Sequence, residues 1–360
     1  MPPLQDEPVW FRQAVRLADL MSDELGVVLI ANVKDQTQPL NDYETDSIVS
    51  EFLSEAELDG LVAAFEEAGL YCETVLDEEG FLQWLIERRS QFPRRVPIVY
   101  NLAQNGTGPA RLSLVAGLCR IYGLLLLDSD GHAVAVSQHK FHASMILSRL
   151  GFPVISSWWF TRLGWLPEPP PQGLTLIAKP TYESASIGID EDCVLTMDDT
   201  TFDRLTKRLE TYRQPLTVQE FIPGFEVEVP VFEAESPEAL IAVGIELQRN
   251  RNLGHTLLTY RQVFTDQYDF YDFAEVNAAS AGRMLDIAKR AFRSLGFSGI
   301  ARVDFRVRDD GTPLIMETAA KPHITRHSSV AYAVRALGKS QSDLMRFLVG
   351  SAARRNAVAA

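Results

Sequence analysis

Residues 300–325, with the sequence IARVDFRVRDDGTPLIMETAAKPHIT, predict the fold of the C-terminal part of the chain and the position of a candidate site. Asp310 and Gly311 lie between two runs of strand-like residues, which indicates a β-hairpin with a two-residue type I′ turn. Such a turn sets the register of both strands, because their pairing is counted back from it. The expected pairs are Val307 with Leu314, Asp304 with Glu317, and Arg302 with Ala319.

The facing carboxylates of Asp304 and Glu317 are the first candidate for chemistry. Like charges opposite each other on a sheet repel, so such a pair usually holds a cation, and oxygen ligands favour Mg²⁺. Arg302 would lie on the same strand face, where its guanidinium can neutralise a phosphate or a developing oxyanion. The alternative is a solvated hairpin face, since two further arginines share it. The apolar neighbours of Glu317 on that face favour the cation site.

The length, composition and net charge of the chain limit the class of protein. The 360 residues, 46% of them hydrophobic, suffice for two or three packed units. With 34 basic and 48 acidic residues the formal net charge is −14, which argues against nucleic acid and anionic membranes as partners. Three widely spaced cysteines fit neither a disulfide framework nor a zinc site. The N-terminus lacks the pattern of a signal peptide, and we expect a cytoplasmic protein with no membrane span.

Residues 1–130 alternate between strand-like and helix-like segments, which predicts an open α/β sheet as the first domain. The loop NGTGPAR at 105–111 follows an apolar strand, so we expect it at the edge of the sheet where ligands bind. Helices are expected at 8–25 and 54–68, and strands at 27–32, 71–75, 96–102 and 124–127.

Residues 131–215 are predicted to form a second unit. A helix over 133–150 carries Lys140, and its two histidines, His139 and His142, are expected at the surface because no third metal ligand has suitable spacing. A strand over 174–178 ends at Lys179. The loop TYESASIGI that follows is rich in small residues, which is typical of loops that bind phosphate through backbone N–H groups.

Residues 216–360 complete the chain. A strand pair is predicted in LTVQEFIPGFEVEVPVFEA, broken at Pro223 and Gly224, with Glu226 and Glu228 on one acidic face. Residues 248–277 show little periodicity, which is typical of a lid or binding loop. A helix then ends at Gly296 before the hairpin.

Four motifs in this order resemble those of the ATP-grasp superfamily, and most closely those of the D-alanine–D-alanine ligase family. They are IAKPTYESASIGI, VQEFIPGFEVEV, ARVDF and IMETAAKPHIT, preceded by the Lys140 segment SQHKFHASMILSRLGFP. The resemblance extends from about residue 27 to residue 334. It implies a fold of α/β and α+β type, the ATP-grasp fold with an N-terminal open α/β domain. The expected domains are 1–130, a central lid subdomain at 131–215, and a catalytic subdomain at 216–360.

The resemblance also implies a set of site residues. Asp304 and Glu317 match the Mg²⁺ ligands, and the catalytic group is Arg302 with Ser184 and Ser186 of the phosphate loop. His323, His327 and Ser328 match the substrate-binding positions. The expected ATP-binding residues are Lys140, Lys179, Glu183, Gln219, Glu220, Phe221, Ile222 and Glu226, with the adenine held by the backbone of Glu220 and Ile222.

The implied reaction is activation of a carboxylate by ATP to an acyl phosphate, which an amine then displaces to form an amide. The implied cofactors are ATP and Mg²⁺, and the substrates are small and amino-acid-like. A homodimer is compatible with the sequence.

Several positions depart from the family pattern. Ala319 replaces an asparagine that ligates a second metal, His323 replaces a glycine at the acceptor pocket, and Ser184 and Ala185 replace a glycine and a serine. The usual Lys-Tyr pair of the lid aligns with residues 276–277, Val and Asn. Because these changes cluster around the amino-acid pockets, we expect a carboxylate–amine ligase with another product. A genuine D-alanine–D-alanine ligase, a nucleotide-binding protein without ligase activity and a phosphotransferase are the alternatives.

Overall fold

The computed structural model describes residues 7–40, 42–44 and 46–359. The first six residues, on which the absence of a signal peptide was partly predicted, lie outside the described residues, as do Asn41 and Thr45 in the loop after the first strand.

The N-terminal part folds around a four-stranded parallel sheet with helices on its faces. Its strands are β1 Leu25–Ala31, β2 Tyr71–Leu76, β3 Val96–Asn101 and β4 Leu125–Leu126, in the order β2-β1-β3-β4. Its helices are α1 Val9–Met21, α2 Glu55–Glu67, α3 Asp77–Gln83 and α4 Leu114–Tyr122. Every residue of β1 is buried, as expected for a central parallel strand covered on both faces. The predicted open α/β sheet is confirmed.

The central part is an antiparallel sheet in the order β6-β5-β9-β7-β8. Its strands are β5 Ser157–Thr161, β6 Gly164–Leu166, β7 Thr175–Pro180, β8 Val194–Thr196 and β9 Leu216–Glu220. Its helices are α5 Gly131–Gln138, α6 Lys140–Arg149 and α7 Thr201–Tyr212.

The single helix predicted over 133–150 is two helices that meet at His139. The backbone of His139 leaves the helical region, with φ −88° and ψ 86°, and its Nδ1 accepts a hydrogen bond from the His142 N–H at 3.3 Å, which caps α6. The prediction that His139 lies at the surface is therefore wrong, because the residue is only 6% exposed.

The C-terminal part is a second antiparallel sheet in the order β13-β12-β10-β14-β15, with β11 paired to β10. Its strands are β10 Phe225–Phe232, β11 Glu238–Ala239, β12 Val243–Glu246, β13 Asp269–Asp272, β14 Ile300–Val307 and β15 Pro313–Ala319. Its helices are α8 Tyr260–Phe264, α9 Ala274–Ser294, α10 Ser329–Ala336 and α11 Gln341–Ala359. Residues 248–277, predicted to be irregular, thus contain a short helix and an edge strand.

The β14–β15 hairpin differs from the prediction at its turn. Gly311 alone has a positive φ, +82°, and Arg308 pairs with Thr312, so the loop has three residues instead of two. The register near the turn therefore pairs Val307 with Pro313, and the predicted Val307–Leu314 pair is wrong. A bulge in β15 then restores the predicted register, so Asp304 faces Glu317 and Arg302 faces Ala319.

The last helix, α11, returns to the N-terminal part and packs on α1. Gly350 lies so close to α1 that a Cβ atom there would come within 1.9 Å of the Ala14 carbonyl oxygen. This contact joins the first and last helices around one hydrophobic core, although they belong to different predicted domains. Within the described part of the chain, no helix has both the length and the hydropathy that a membrane span requires.

Candidate active site

A cavity of about 790 Å³ lies between the central and C-terminal sheets and is closed on one side by the loop after β1. Every residue that the sequence predicts for the site lies on its wall. The cavity is large enough for a nucleotide together with a small second substrate.

Three carboxylates form a row across neighbouring strands of the C-terminal sheet, which we call the carboxylate row. Glu228 of β10 faces Asp304 of β14, which in turn faces Glu317 of β15. Glu228 was predicted to lie on an acidic strand face, but it was not predicted as a site residue. Its pairing with Asp304 could not be predicted from local pattern, because the two residues are 76 positions apart in the chain.

Arg302 neutralises part of this row. Its Nε and one terminal nitrogen donate to both oxygens of Asp304, at 2.7 and 2.9 Å, and its other terminal nitrogen lies 3.0 Å from Glu228 Oε1. Burial lowers the pKa of this guanidinium, but the two carboxylates raise it further, so the pKa of Arg302 lies above its ordinary value.

The carboxylate row carries more negative charge than Arg302 balances. Burial raises the pKa of Asp304 to about 7, and the charges of Glu228 and Glu317 add to that rise against the opposing effect of Arg302. Oε2 of Glu228 is buried and makes no hydrogen bond to any described residue.

These observations fit a hard divalent cation, which prefers carboxylate oxygens. The described residues contain no group of three His, Cys, Asp or Glu side chains arranged as a metal cage. Mg²⁺ is typically held by one or two carboxylates together with phosphate oxygens, and Asp304 and Glu317 could supply those carboxylates.

Two lysines face the row from the central part. Lys140, the first residue of α6, lies with its Nζ 2.7 Å from Glu317 Oε1 and also donates to the Glu183 carbonyl oxygen. Lys179 near the end of β7 is 6% exposed, and burial lowers its pKa, although Glu317 and Glu226 oppose this effect. Both cations are thus directed at the part of the cavity where phosphates would lie.

The predicted phosphate loop, residues 184–188, has a strained backbone. Ala185 and Ser186 adopt φ values of +46° and +57°, which non-glycine residues rarely adopt, and the Ile187 N–H closes the turn on the Ser184 carbonyl at 3.0 Å. The Gly188 N–H donates to the Asp46 carboxylate at 2.7 Å.

Glu183 precedes this loop, but its carboxylate is engaged within the protein. It is 1% exposed and receives two hydrogen bonds from Arg111, at 3.2 and 3.0 Å, and one each from Tyr43 and Gln214, at 2.6 and 2.8 Å. The expectation that this side chain binds ATP does not fit that geometry, and we assign Glu183 a positioning role for the phosphate loop.

The predicted adenine hinge continues from β9. The Glu220 N–H donates to Ser156 at 3.0 Å and the Phe221 N–H to Thr175 at 2.9 Å, so of Glu220 only the carbonyl remains as a contact for adenine. Arg306 Nε donates to the Ile222 carbonyl at 2.9 Å.

Two further hinge residues are tied to the C-terminal sheet. The Gln219 side chain donates to the Met316 carbonyl at 3.2 Å. Glu226 forms an ion pair with Arg306 at 3.1 Å, which fixes its carboxylate at the cavity edge.

The cavity wall also holds the predicted substrate residues. His323 Nε2 lies 3.6 Å from the buried carboxylate of Glu51, and His327 Nδ1 contacts Asp266. The Ser328 hydroxyl donates to the Thr325 carbonyl at 2.8 Å and caps α10 by accepting from the Ala331 N–H at 3.1 Å. Its side chain is thus engaged in a helix cap, and it faces the cavity from that position.

The lid positions aligned from sequence do not lie on the cavity wall among the described residues. Val276 and Asn277 are at the start of α9, and Asn277 caps the following turn through the Ser280 N–H at 3.0 Å. The segment instead lines the cavity with residues 257–270, including Tyr268. Glu51, Arg111 and Lys321 were also missed, because their contacts join parts of the chain that are distant in sequence.

Comparisons with known proteins agree with this geometry. The sequence profile described as D-ala D-ala ligase C-terminus matches residues 146–350, more than half of the chain. The D-alanine--D-alanine ligase of Bordetella petrii is 28% identical over 181 residues, which are 50% of this chain and 53% of that protein. The D-alanine--D-alanine ligase of Anaeromyxobacter sp. is 27% identical over 250 residues, covering 66% of this chain and 75% of that protein. The chain spans only about half of the length of the first of these relatives.

A solved structure extends the likeness to nearly the whole chain. The crystal structure of D-alanine--D-alanine ligase from Bacillus anthracis complexed with ATP covers 94% of this chain and 99% of its own, with a TM-score of 0.67 and 17% identity. At that identity the likeness establishes the fold, and the predicted ATP-grasp architecture of α/β and α+β type is confirmed.

Proposed function

The chain belongs to the D-ala D-ala ligase C-terminus family, and we propose on this basis that it is an ATP- and Mg²⁺-dependent ligase that joins a carboxylate to an amine. The observation that carries the proposal is the carboxylate row, crossed by Arg302 and faced by Lys140 and Lys179, on the wall of a cavity of about 790 Å³. Asp304 is buried and the two neighbouring carboxylates are partly buried, and retaining such a row of like charges costs stability, which a protein without this chemistry has no reason to bear.

The residues of the chain would act mainly by positioning reactants and balancing charge. Lys140, Lys179 and the N–H groups at residues 184–186 of the phosphate loop would hold the ATP phosphates, and the backbone of Glu220 and Ile222 would hold the adenine. Mg²⁺ bound by Asp304 and Glu317, with Glu228 nearby, would neutralise phosphate charge.

In the first step a substrate carboxylate oxygen attacks the γ-phosphorus of ATP, giving an acyl phosphate and ADP. In the second step an amine attacks the acyl carbon, and the tetrahedral oxyanion collapses with loss of phosphate. Arg302 lies where its guanidinium can stabilise charge that develops in both steps, a contribution typically worth about 100- to 1,000-fold in rate for one such donor.

We infer small, amino-acid-like substrates with a product other than D-alanyl-D-alanine. The amino-acid end of the cavity supports this inference, because His323 projects an imidazole toward Glu51 where a glycine would leave open space. A cytoplasmic location and a homodimer stay predictions.

The proposal is tested by incubating the protein with ATP, Mg²⁺ and pairs drawn from a panel of L- and D-amino acids. ADP release is followed, and the products are identified by mass. We expect one or more pairs to give equimolar ADP and an amide whose mass is the sum of both amino acids less water. ATP binding without turnover across the panel would support a nucleotide-binding protein instead.

A genuine D-alanine–D-alanine ligase is the second candidate, favoured by the names of the relatives. Phosphate release with D-alanine as the sole amino acid, together with a dipeptide of the matching mass, would establish that activity. We expect this release to be slow compared with that of the best pair in the panel.

A further inference from the structure

The pair formed by His323 and Glu51 joins the N-terminal and C-terminal parts on the cavity wall. Glu51 ends a single turn of 3-10 helix, Ile48–Glu51, in the N-terminal part, whereas His323 follows β15 in the C-terminal part. The His323 Nε2 and Glu51 Oε2 atoms are 3.6 Å apart, and both residues line the cavity.

The two side chains differ sharply in exposure. The Glu51 side chain is 1% exposed, and that of His323 is 42% exposed, so the imidazole stands between a buried anion and the open cavity. Glu51 Oε1 makes no hydrogen bond to the described residues. A buried carboxylate with an unfilled hydrogen-bonding capacity stabilises a positive charge on the imidazole next to it.

The pKa of Glu51 lies below its ordinary value although the residue is buried. Burial raises its pKa, but interactions with His323, Ser184 and Arg111 outweigh this effect and lower it. Lys321 adds a further positive charge near Glu51. Ser184 belongs to the phosphate loop, so the pair is directly next to the place where an acyl phosphate would form.

On the basis of the proposed ligase function, we propose that His323 accepts a proton from the attacking amine, and that Glu51 is the positioning residue that orients the imidazole. An amino-acid amine reaches the site as an ammonium ion, which has no lone pair for attack. Because Nε2 faces Glu51, Nδ1 is the nitrogen that takes the proton.

The protons and bonds of this step balance. The ammonium gives one proton to His323 Nδ1, and the freed lone pair forms the C–N bond to the acyl carbon. The bond between the acyl carbon and the phosphate oxygen then breaks, and the second proton lost by nitrogen leaves on the released phosphate. The imidazolium returns its proton to solvent through the exposed side of the ring.

The second histidine of this region is less suited to the role. His327 contacts Asp266, whose side chain is 65% exposed, so water screens the charge that would stabilise an imidazolium there. Glu51 acts from a buried position, where the same charge has a greater effect.

The test compares two nucleophiles on one activated donor, the amino acid that gives the most hydroxamate with the wild-type protein. Hydroxylamine is uncharged at neutral pH and needs no base, whereas an amino-acid acceptor must lose a proton. We expect His323→Gln to slow amide formation by about 100-fold or more, with hydroxamate formation and the KM for ATP little changed. His132→Gln, which changes an exposed histidine on α5 away from the cavity wall, is the matched control and should alter neither rate.

The pH profile gives a second measurement on the same variants. In His323→Gln the residual amide rate should rise steadily with pH as the free amine accumulates, whereas the wild-type amide rate should depend less steeply on pH, because a base on the protein takes the proton. Glu51→Gln should slow amide formation more than hydroxamate formation, as expected for a residue that orients the imidazole.

Equal losses with both nucleophiles in a folded His323→Gln protein would overturn the proposal, because a purely structural role slows both. The proposal would also be overturned if His323→Gln changed neither the amide rate nor the hydroxamate rate. A selective loss of amide formation in His327→Gln, without such a loss in His323→Gln, would overturn it as well. Wild-type protein that forms no hydroxamate with any amino acid would remove the proposed ligase function, and this proposal with it.

Discussion

Arg302 is the residue on which the charge balance of the site depends. It contacts two members of the carboxylate row, while Lys140 contacts the third. These two side chains balance part of the negative charge of the row. The sequence predicted Arg302, Asp304 and Glu317 together, because they share one strand face, but it could not predict that Lys140 would pair with Glu317 across sheets.

Glu317 can be tested by an isosteric change. Glu317→Gln removes one negative charge from the row and the partner of Lys140 at 2.7 Å. We expect turnover to fall by at least about 100-fold, since charge stabilisation at the transferred phosphate is lost. ATP affinity without Mg²⁺, measured by calorimetry, should change little. Glu275→Gln, in the exposed ion pair with Arg251, is the control, and full activity in Glu317→Gln would refute the assigned role.

His139 should make stability depend on pH. Burial lowers its pKa to about 4, and the stacked ring of His142 adds to the effect. The unfolded chain takes up this proton near pH 6.5, but the folded protein does so only near pH 4. The stability contributed by neutral His139 is therefore complete above about pH 6.5 and is lost as the pH falls toward 4.

The measurement is urea unfolding at pH 8 and pH 5. Between pH 8 and pH 5 we expect the free energy of unfolding of His139→Gln to fall by ~2 kcal/mol less than that of the wild-type protein. His132→Gln, at an exposed site, should follow the wild type. If the free energy of unfolding of His139→Gln depended on pH as that of the wild type does, the histidine would take up its proton equally readily in the folded and unfolded states, and the prediction would be wrong.

In the β14–β15 hairpin the pairing of Asp304 with Glu317 was predicted correctly, although the turn was not. A type I′ turn was predicted from Asp-Gly, but the Asp310 carboxylate accepts from the Thr312 N–H at 2.8 Å and holds a three-residue loop. That loop shifts the register by one, and the bulge at Met316 shifts it back before Asp304. Local pattern predicts strands and their faces, whereas a bulge depends on packing in three dimensions.

The close contact of α11 with α1 predicts how substitution of a glycine in α11 changes the stability of the protein. A Cβ atom at Gly350 would clash with the Ala14 backbone, at 1.9 Å from its carbonyl oxygen. Gly350→Ala should therefore destabilise the protein by about 1–3 kcal/mol, as overpacking does. Gly282→Ala on α9, where nothing lies within 4 Å, should stabilise it by about 0.5–1 kcal/mol. Equal effects in thermal unfolding would show that the helices are not in contact.

The arrangement of the whole molecule brings the N-terminal loop against the central part. Asp46 accepts from the Gly188 N–H at 2.7 Å and from the Tyr212 hydroxyl at 2.8 Å, and Arg111 binds Glu183. The sequence predicted a ligand-contacting loop at 105–111, which includes Arg111, since that loop follows an apolar strand. The partners of Asp46 and Arg111 could not be predicted, because contacts between residues 70 to 170 positions apart leave no trace in local periodicity.

The Arg111–Glu183 pair links the N-terminal and central parts from a buried position, with side chains 0% and 1% exposed. Arg111→Met should destabilise the protein by ~3–5 kcal/mol, because it leaves a buried carboxylate uncompensated. The double variant Arg111→Met/Glu183→Gln should recover part of this loss. Arg120→Met, which breaks a largely exposed pair with Asp130, should cost under about 1 kcal/mol. Additive single effects in the double-mutant cycle would contradict a direct coupling.

In the proposed reaction ATP activates a carboxylate as an acyl phosphate. The most direct measurement of this step uses a substrate with ¹⁸O in its carboxylate, taken from the pair that gives the most amide, and mass analysis of the phosphate released. We expect each phosphate to carry one ¹⁸O atom, since the carboxylate oxygen bonded to phosphorus leaves with it. Unlabelled phosphate formed at the same rate as the amide would contradict an acyl-phosphate intermediate.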